Sequence, residues 1–86
     1  MLYDVIKARY IEDYKVMVEF EDGHSGIVDF SQYPQKGGVF AQFSDLSFFK
    51  QFSVSKALGT LVWNDQIDIA PETLYEKCEP YTTANG

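Results

Sequence analysis

Two residues that could carry nucleophilic or metal chemistry, His24 and Cys78, each occur only once in this chain. His24 directly follows Asp22-Gly23, a strong signal for a hairpin turn, so we expect an exposed turn residue without a catalytic partner. Cys78 lies beside Glu76 and Glu79, and because nearby carboxylates disfavour the thiolate, we expect a partly buried, unreactive thiol. The two residues are 54 positions apart, which matches no known spacing of metal ligands. We therefore predict no catalytic residue, no metal and no cofactor, and a protein that is not an enzyme.

Carboxylates and aromatic rings near the C-terminus are the other candidates for function. Asp65 and Asp68, with Glu72, form an acidic cluster close in sequence to the only tryptophan, Trp63, and paired carboxylates can exchange protons or hold a cation. Carboxylates at such positions more commonly form turns and helix caps, and aromatic residues more commonly pack in the core or at its rim. Tyrosine and tryptophan are also enriched at binding hot spots. We therefore predict that a surface for a protein partner or a ligand includes Tyr33, Trp63, Asp65, Asp68 and Tyr75.

The composition sets limits on size, partners and location. Eighty-six residues, of which 45% are hydrophobic and 16% aromatic, suffice for one small folded domain. The net charge is −6 with only seven basic residues, which disfavours direct binding to nucleic acid or a membrane and is compatible with a basic partner surface. A single cysteine allows no internal disulfide, and no apolar run approaches the ~18 residues of a membrane span, so we expect a cytoplasmic protein.

The pattern of apolar residues predicts an α+β fold. We expect a small antiparallel sheet of hairpins, with about five strands, and two short helices packed on it. We expect the domain to cover residues 1–79 and a flexible tail to follow at 80–86. The predicted strands are Tyr3–Tyr10, Tyr14–Phe20, Ser25–Phe30, Ser53–Ala57 and Thr60–Trp63, and the predicted helices span about 45–52 and 71–77.

Side-chain alternation predicts which strand faces are buried, because residues two apart share a face. The turn at Asp22-Gly23, with both residues at positive φ, pairs the second and third strands so that their apolar faces coincide. The predicted inward faces are Leu2, Asp4, Ile6, Ala8 and Tyr10, then Tyr14, Val16, Val18 and Phe20, then Gly26, Val28 and Phe30. The first helix adds a stripe formed by Leu46, Phe49 and Phe52, joined by Phe40 and Phe43.

Several short motifs give the chain a family resemblance. They are Phe20-Glu21-Asp22-Gly23, Val28-Asp29-Phe30, Gly38-Val39-Phe40, Leu46 with Phe49, Val62-Trp63, and Asp68-Ile69-Ala70-Pro71 with Leu74-Tyr75. Through these motifs, roughly residues 1–77 resemble the bacterial domain of unknown function 2442 family. The resemblance implies a small α+β domain and transfers no catalytic residues. It also implies that such domains occur alone, often encoded beside another small protein in a layout like that of toxin–antitoxin pairs, or precede a helix-turn-helix DNA-binding domain.

The leading functional hypothesis is a non-enzymatic interaction module that binds a small cytosolic protein, as its antitoxin-like or regulatory partner. The acidic charge and the gene arrangement implied by the resemblance both favour it. The alternative is a sensor domain for a small molecule or metabolite, related to transcription regulation, with a pocket near Trp63, Asp65 and Asp68. An exposed aromatic patch or an unpaired edge strand would equally support a homodimer.

Overall fold

The computed structural model describes residues 3–64 and 66–79, which form six β-strands, two short α-helices and two 3-10 helical segments. The strands are β1 (Val5–Glu12), β2 (Lys15–Phe20), β3 (Ser25–Asp29), β4 (Ser53–Ser55), β5 (Thr60–Trp63) and β6 (Ile67–Asp68). The α-helices are α1 (Leu46–Phe49) and α2 (Pro71–Lys77), and the 3-10 segments are Pro34–Lys36 and Gly38–Ser44. The predicted α+β class is confirmed. Within the described ranges, no helix has the length and apolar character that a membrane crossing demands.

The first sheet is an antiparallel meander of β1, β2 and β3. Val16 pairs with Val28 and Val18 pairs with Gly26, so the apolar faces of β2 and β3 coincide as predicted. Val16, Val18 and Val28 are fully buried, whereas the intervening residues of β2 are only partly buried. This strict alternation is what a sheet with one covered face requires.

The first strand departs from simple alternation because it contains two bulges. The register shifts between Val5 and Lys7 and again between Tyr10 and Glu12, which leaves Ile6 and Ile11 as the extra residues. These two isoleucines are 47% and 36% exposed. A bulge changes the face on which the following residues lie, so Val5 is buried although it is out of phase with Tyr10. The prediction that Ile6 faces the core is therefore wrong.

The hairpin between β2 and β3 closes through a three-residue loop rather than the predicted two-residue turn. The Phe20 N–H donates to the His24 carbonyl at 2.8 Å, and the Gly23 N–H donates to the Phe20 carbonyl at 3.0 Å. Gly23 has φ 94, whereas Asp22 does not have positive φ. A three-residue loop needs only its last residue in the left-handed region, which glycine adopts without strain.

The second half of the chain forms a separate antiparallel sheet of β4, β5 and β6. The predicted hairpin of β4 and β5 is confirmed, with Gly59 at φ 68 in its turn. The chain then turns at Asn64, whose φ is 54, and returns as β6, where Ile67 pairs with Trp63. The described residues thus form six strands in two sheets, rather than about five strands in one. The sixth strand was missed because two residues are too few to show alternation.

Of the two predicted helices, the second agrees best with the structure. Helix α2 has the predicted span, with Pro71 in its first turn and Leu74 fully buried. Helix α1 is shorter than predicted, although Asp45 caps it as expected by accepting the Ser47 N–H at 3.0 Å. The 3-10 segments preceding α1 were not predicted, because Pro34 and the glycines around residues 37–38 suggest only loops.

The core lies around Trp63, whose side chain has no exposed surface. Four phenylalanine rings surround the indole with centroid distances between 4.7 and 6.2 Å, namely Phe43, Phe30, Phe49 and Phe52. The indole N–H donates to the carbonyl of Phe49 at 2.8 Å, so its polar atom is satisfied within the core. The predicted aromatic core is confirmed, and it joins the second sheet to α1 and to the first sheet.

The chain after α2 is held against the edge of β3. Ile27 and Glu79 exchange two backbone hydrogen bonds of 2.8 and 2.9 Å. Gly26 is required beside this bridge, because a Cβ atom there would overlap the Glu79 carbonyl and the Cys78 sulfur. The bridge therefore fixes the end of α2 relative to the first sheet. The predicted tail at 80–86 lies outside the described residues.

Candidate functional site

The most connected polar cluster on the described surface joins the β2–β3 hairpin to α2. The Tyr75 hydroxyl donates to Asp22 Oδ2 at 2.6 Å and lies 2.8 Å from His24 Nδ1. His24 Nδ1 lies 2.9 Å from the same carboxylate oxygen. Asp22, His24 and Tyr75 are called the latch below. It connects residues 53 positions apart in the chain.

Local structure explains why these three side chains meet. Asp22 Oδ1 accepts the backbone N–H of His24 at 2.9 Å, a turn within the hairpin loop that fixes the carboxylate. On α2, the buried Leu74 sets the rotation of the helix, and this places the neighbouring Tyr75 beside the hairpin. The bridge between Glu79 and Ile27 holds the other end of α2. The latch geometry thus follows from one turn and one buried anchor.

Aromatic rings extend the latch into a broader surface. The Tyr75 ring contacts Tyr3 at a centroid distance of 4.6 Å, with 51° between the ring planes. It also contacts Phe20 at 5.0 Å and His24 at 5.1 Å, both in edge-to-face geometry. Tyr3 is 40% exposed and the His24 side chain is 69% exposed. The latch together with Tyr3 is called the hairpin–helix surface.

Hydrogen bonding controls the protonation of the latch. The bond to Asp22, with smaller contributions from burial and from the Asp22 charge, raises the pKa of Tyr75 to about 12. In turn, the bonds from Tyr75 and from the His24 backbone lower the pKa of Asp22 below its ordinary value of 3.8. At neutral pH the carboxylate is therefore charged and the phenol keeps its proton. Tyr75 acts as a hydrogen-bond donor and not as a nucleophile.

The number of protons available for hydrogen bonds within the latch also decides the role of the His24 imidazole. The phenol has a single proton, which it donates to Asp22 Oδ2. The contact between His24 Nδ1 and the carboxylate then becomes a hydrogen bond when Nδ1 carries a proton and donates it. With that proton in place, Tyr75 and His24 Nδ1 both donate to Asp22 Oδ2, while Asp22 Oδ1 accepts the His24 backbone N–H. The arrangement is suited to holding a fixed shape at the surface.

The structure distributes the five predicted surface residues over different environments. Trp63 and Tyr33 are 0% and 5% exposed, so both lie in the core, and the expectation that they line an exposed patch is wrong. Asp68 is exposed on β6, and Tyr75 is half-buried within the latch. Asp65 lies outside the described residues. Because the indole has no exposed surface, it cannot itself line the predicted sensor pocket, although an open pocket of about 220 Å³ lies next to it, lined by Val62, Gln66, Ile67 and Asp68 among others.

Three members of the hairpin–helix surface were not predicted as functional residues: Tyr3, Asp22 and His24. His24 was predicted to be an exposed turn residue, and it is exposed. The local sequence shows the turn at Asp22 and Gly23, but nothing in it indicates that Tyr75 is the partner. That contact depends on how α2 packs, which the sequence pattern does not specify.

The remaining reactive groups are arranged less favourably for chemistry. Burial, with a smaller effect from Glu79, raises the pKa of the Cys78 thiol, as expected for an unreactive cysteine. Among the described residues, no three His, Cys, Asp or Glu side chains converge as metal ligands would. An open groove of about 670 Å³ between β1, β3 and the end of α2 is polar and lined by charges of both signs, such as Glu12, Lys15 and Lys77.

The fold and the site define a small acidic α+β domain in which one hydrogen-bonded cluster fastens the last helix to the first sheet. A family match covers residues 5–80 and carries the description "Protein of unknown function (DUF2442)". The chain belongs to this family, which confirms the resemblance found from its motifs. Comparison with curated proteins and with solved structures gave no match.

Proposed function

We propose that this protein is a non-enzymatic interaction module that binds a small cytosolic protein through the hairpin–helix surface. The observation that carries the proposal is the contact between the exposed ring of Tyr3 and the half-buried ring of Tyr75, which the latch fixes. Tyrosine supplies a large contact area with few rotatable bonds, and it is among the residues most enriched at binding hot spots.

The fixed position of Tyr75 before binding also supports the hairpin–helix surface as the binding site. A side chain that is already ordered loses little conformational entropy on binding, so more of its contact energy appears as affinity. Tyr75 is held by a hydrogen bond of 2.6 Å and by contacts with three rings. The half-buried tyrosine gives the surface an apolar centre, and the charged Asp22 and polar His24 give it a polar rim. This is the usual anatomy of a protein interface.

The resemblance to the family indicates which kind of partner to expect. Because such domains are often encoded beside another small protein, the product of the adjacent gene is the first partner to test. An antitoxin-like role would follow if the chain neutralised an activity of that product. A second copy of this chain is a competing occupant of the surface, and a homodimer would appear in the same measurements.

Co-expression with the adjacent gene product, followed by size-exclusion chromatography and calorimetry on the purified chains, tests the proposal. We expect a complex with micromolar or tighter affinity. Replacing the exposed ring in Tyr3→Ala should weaken it at least about fivefold, as expected for a hot-spot residue. The matched control is Val39→Ala, which removes an apolar side chain that is 51% exposed and belongs to a 3-10 segment outside the hairpin–helix surface.

Two results would contradict the proposal. One is the absence of any association at micromolar concentrations when both chains are folded. The other is a complex that Tyr3→Ala and Val39→Ala weaken equally, since the binding surface would then lie elsewhere. If the chain alone has a dimeric mass that Tyr3→Ala converts to a monomeric one, the surface is occupied by a second copy and the hetero-partner is excluded from it.

A further inference from the structure

We propose that the partner presents an arginine to the hairpin–helix surface, with its guanidinium over the tyrosine rings and directed towards the carboxylate of Glu72. This inference rests on the proposed function and adds the chemistry of the partner. A guanidinium suits such a site because it stacks on aromatic faces and donates paired hydrogen bonds to carboxylates.

Two other tyrosines of the protein, Tyr10 and Tyr33, already bind cations in this way. The Lys50 ammonium lies 4.9 Å from the centre of the Tyr10 ring. Lys36 and Lys77 each lie 5.5 Å from the centre of the Tyr33 ring. In the described part of the chain, no lysine or arginine is placed over Tyr3 or Tyr75. The ring of Tyr3, which is 40% exposed, is therefore available to a cation from a partner protein.

The charges around the surface favour a cation. Glu72 is exposed and precedes Tyr75 by three positions on α2, so the two side chains are neighbours on the same helix face. Asp22 is ionised at neutral pH and bonded to the Tyr75 hydroxyl. Its charge increases the electron density that the ring and hydroxyl present.

Several basic residues of the chain itself are committed to other places. Lys36 and Lys77 interact with Tyr33, Lys50 interacts with Tyr10, and Lys15 lies 3.8 Å from Glu12. The chain as a whole carries a net charge of −6. An arginine from a basic partner segment therefore finds a complementary field at the tyrosine pair, which steers association as well as stabilising the complex.

The test uses the full chain and two synthetic peptides, one of four Gly-Arg repeats and one of four Gly-Glu repeats. Binding is followed by amide chemical shifts of the labelled protein at about 0.15 M salt, where screening limits the effect of distant charges. We expect the arginine peptide alone to bind. The affected amides should be those of residues 20–25 and 72–76, together with residues adjoining Tyr3.

Matched variants separate a specific site from general attraction. Glu72→Gln and Glu12→Gln change the net charge by the same amount, but only Glu72 adjoins Tyr75. We expect Glu72→Gln to weaken peptide binding and Glu12→Gln to leave it nearly unchanged. Tyr3→Leu should weaken binding roughly two- to fivefold, as loss of an exposed cation–π contact predicts, whereas Tyr3→Phe should retain it.

The other outcomes show separately whether the inference about arginine or the proposed function is wrong. Equal weakening by Glu72→Gln and Glu12→Gln means that only net charge attracts the peptide. Shifts confined to residues outside the hairpin–helix surface place the cation elsewhere. If the arginine peptide does not bind but the adjacent gene product still binds and is sensitive to Tyr3→Ala, the inference about arginine is wrong and the proposed function stands. If the peptide binds as expected and the gene product does not, the surface binds arginine but the proposed function is wrong.

Discussion

Two ring clusters of this protein use the same chemistry in opposite environments. In the core, the Trp63 N–H donates to a backbone carbonyl, and four phenylalanine rings remove the indole completely from water. At the hairpin–helix surface, the Tyr75 hydroxyl donates to the carboxylate of Asp22, and the adjoining Tyr3 is 40% exposed. Each cluster is an aromatic group fixed by one polar bond. They differ in whether water can reach the rings.

This difference separates the roles of the two clusters. A buried ring contributes to stability through the apolar surface it removes from water, and its loss leaves a cavity. An exposed ring contributes much less to folding, but it retains surface that a partner can cover. We therefore expect variants of the core to change stability, and variants of the surface to change binding. The following four predictions test that separation, beginning with the largest effect.

Trp63→Ala should have the largest effect. Removing a fully buried large aromatic side chain typically costs about 3–5 kcal/mol, and here it also removes the donor to the Phe49 carbonyl. The free energy of unfolding, measured by urea denaturation, reports the change. Trp63→Phe keeps a ring in place and should cost clearly less. A loss below about 1 kcal/mol for Trp63→Ala would contradict the assignment of Trp63 to the centre of the core.

Thr60→Val should have an intermediate effect. Thr60 is 2% exposed, and its hydroxyl donates to the Ile69 carbonyl at 2.5 Å, which ties β5 to the segment before α2. Valine has the same shape but leaves that carbonyl without its donor, so we expect a loss of about 1–2 kcal/mol in the free energy of unfolding. Thr60→Ser retains the hydroxyl and serves as the control. Little or no loss in Thr60→Val beside a clear loss in Thr60→Ser would show that the methyl group, and not the bond, matters.

The contribution of the latch should be detected in the pH dependence of the free energy of unfolding rather than as a large change in that free energy at a single pH. The pKa of Asp22 is lowered from 3.8, so its contribution is present above that value and is lost as the pH falls through the lowered pKa. The pKa of Tyr75 is raised from 10 to about 12, so its contribution is present below pH 10 and is lost as the pH rises towards 12. Tyr75→Phe should therefore differ from the parent chain in its free energy of unfolding at neutral pH. This difference should shrink as the pH is lowered below the pKa of Asp22 or raised towards 12.

A phenol titration checks the same coupling directly. Burial also raises the pKa values of Tyr10 and Tyr33, but the shift is largest at Tyr75 among the described tyrosines, so Tyr75 should be the last of them to ionise in an absorbance titration of the parent chain, and Asp22→Asn should return its pKa towards the ordinary value. Tyr3→Phe removes a phenol that lacks the bond to Asp22 and contributes only a minor part of the shift, so it should leave the last step nearly unchanged. A last step whose pKa is the same in Asp22→Asn as in the parent chain would show that the carboxylate is not its cause.

Tyr3→Ala should have the smallest effect on folding. Its ring is exposed and contacts mainly Tyr75, so we expect the free energy of unfolding to change by no more than about 0.5–1 kcal/mol. In contrast, its affinity for the partner should fall, whereas Trp63→Phe should leave affinity unchanged once the protein is folded. A large loss of stability in Tyr3→Ala would remove the distinction between the two clusters.

Much of the local structure could be predicted from the sequence. The faces of β2 and β3, the cap at Asp45 and the span of α2 follow from alternation and from residues with strong positional preferences. Predictions were wrong where those signals were weak or interrupted. The bulge at Ile6 changed the phase of β1, and the two-residue strand β6 was too short to show a pattern.

The candidate site was less predictable than the fold. Tyr75 was identified because tyrosine is common at interfaces, but the same argument selected Trp63 and Tyr33, which are buried. Residue type alone cannot separate these cases, since a large ring stabilises a core as readily as it binds a partner. What separates them is the amount of ring surface left after packing.

The sequence by itself determined the class of the domain, its acidic charge, the position of the hairpin turn and the aromatic composition of the core. These properties depend on each residue and its near neighbours along the chain. Only the tertiary structure decided that the strands form two sheets, that Trp63 is covered, and that Tyr75 reaches Asp22. Those outcomes depend on contacts between residues far apart in the chain, whose geometry is set by how the whole core packs.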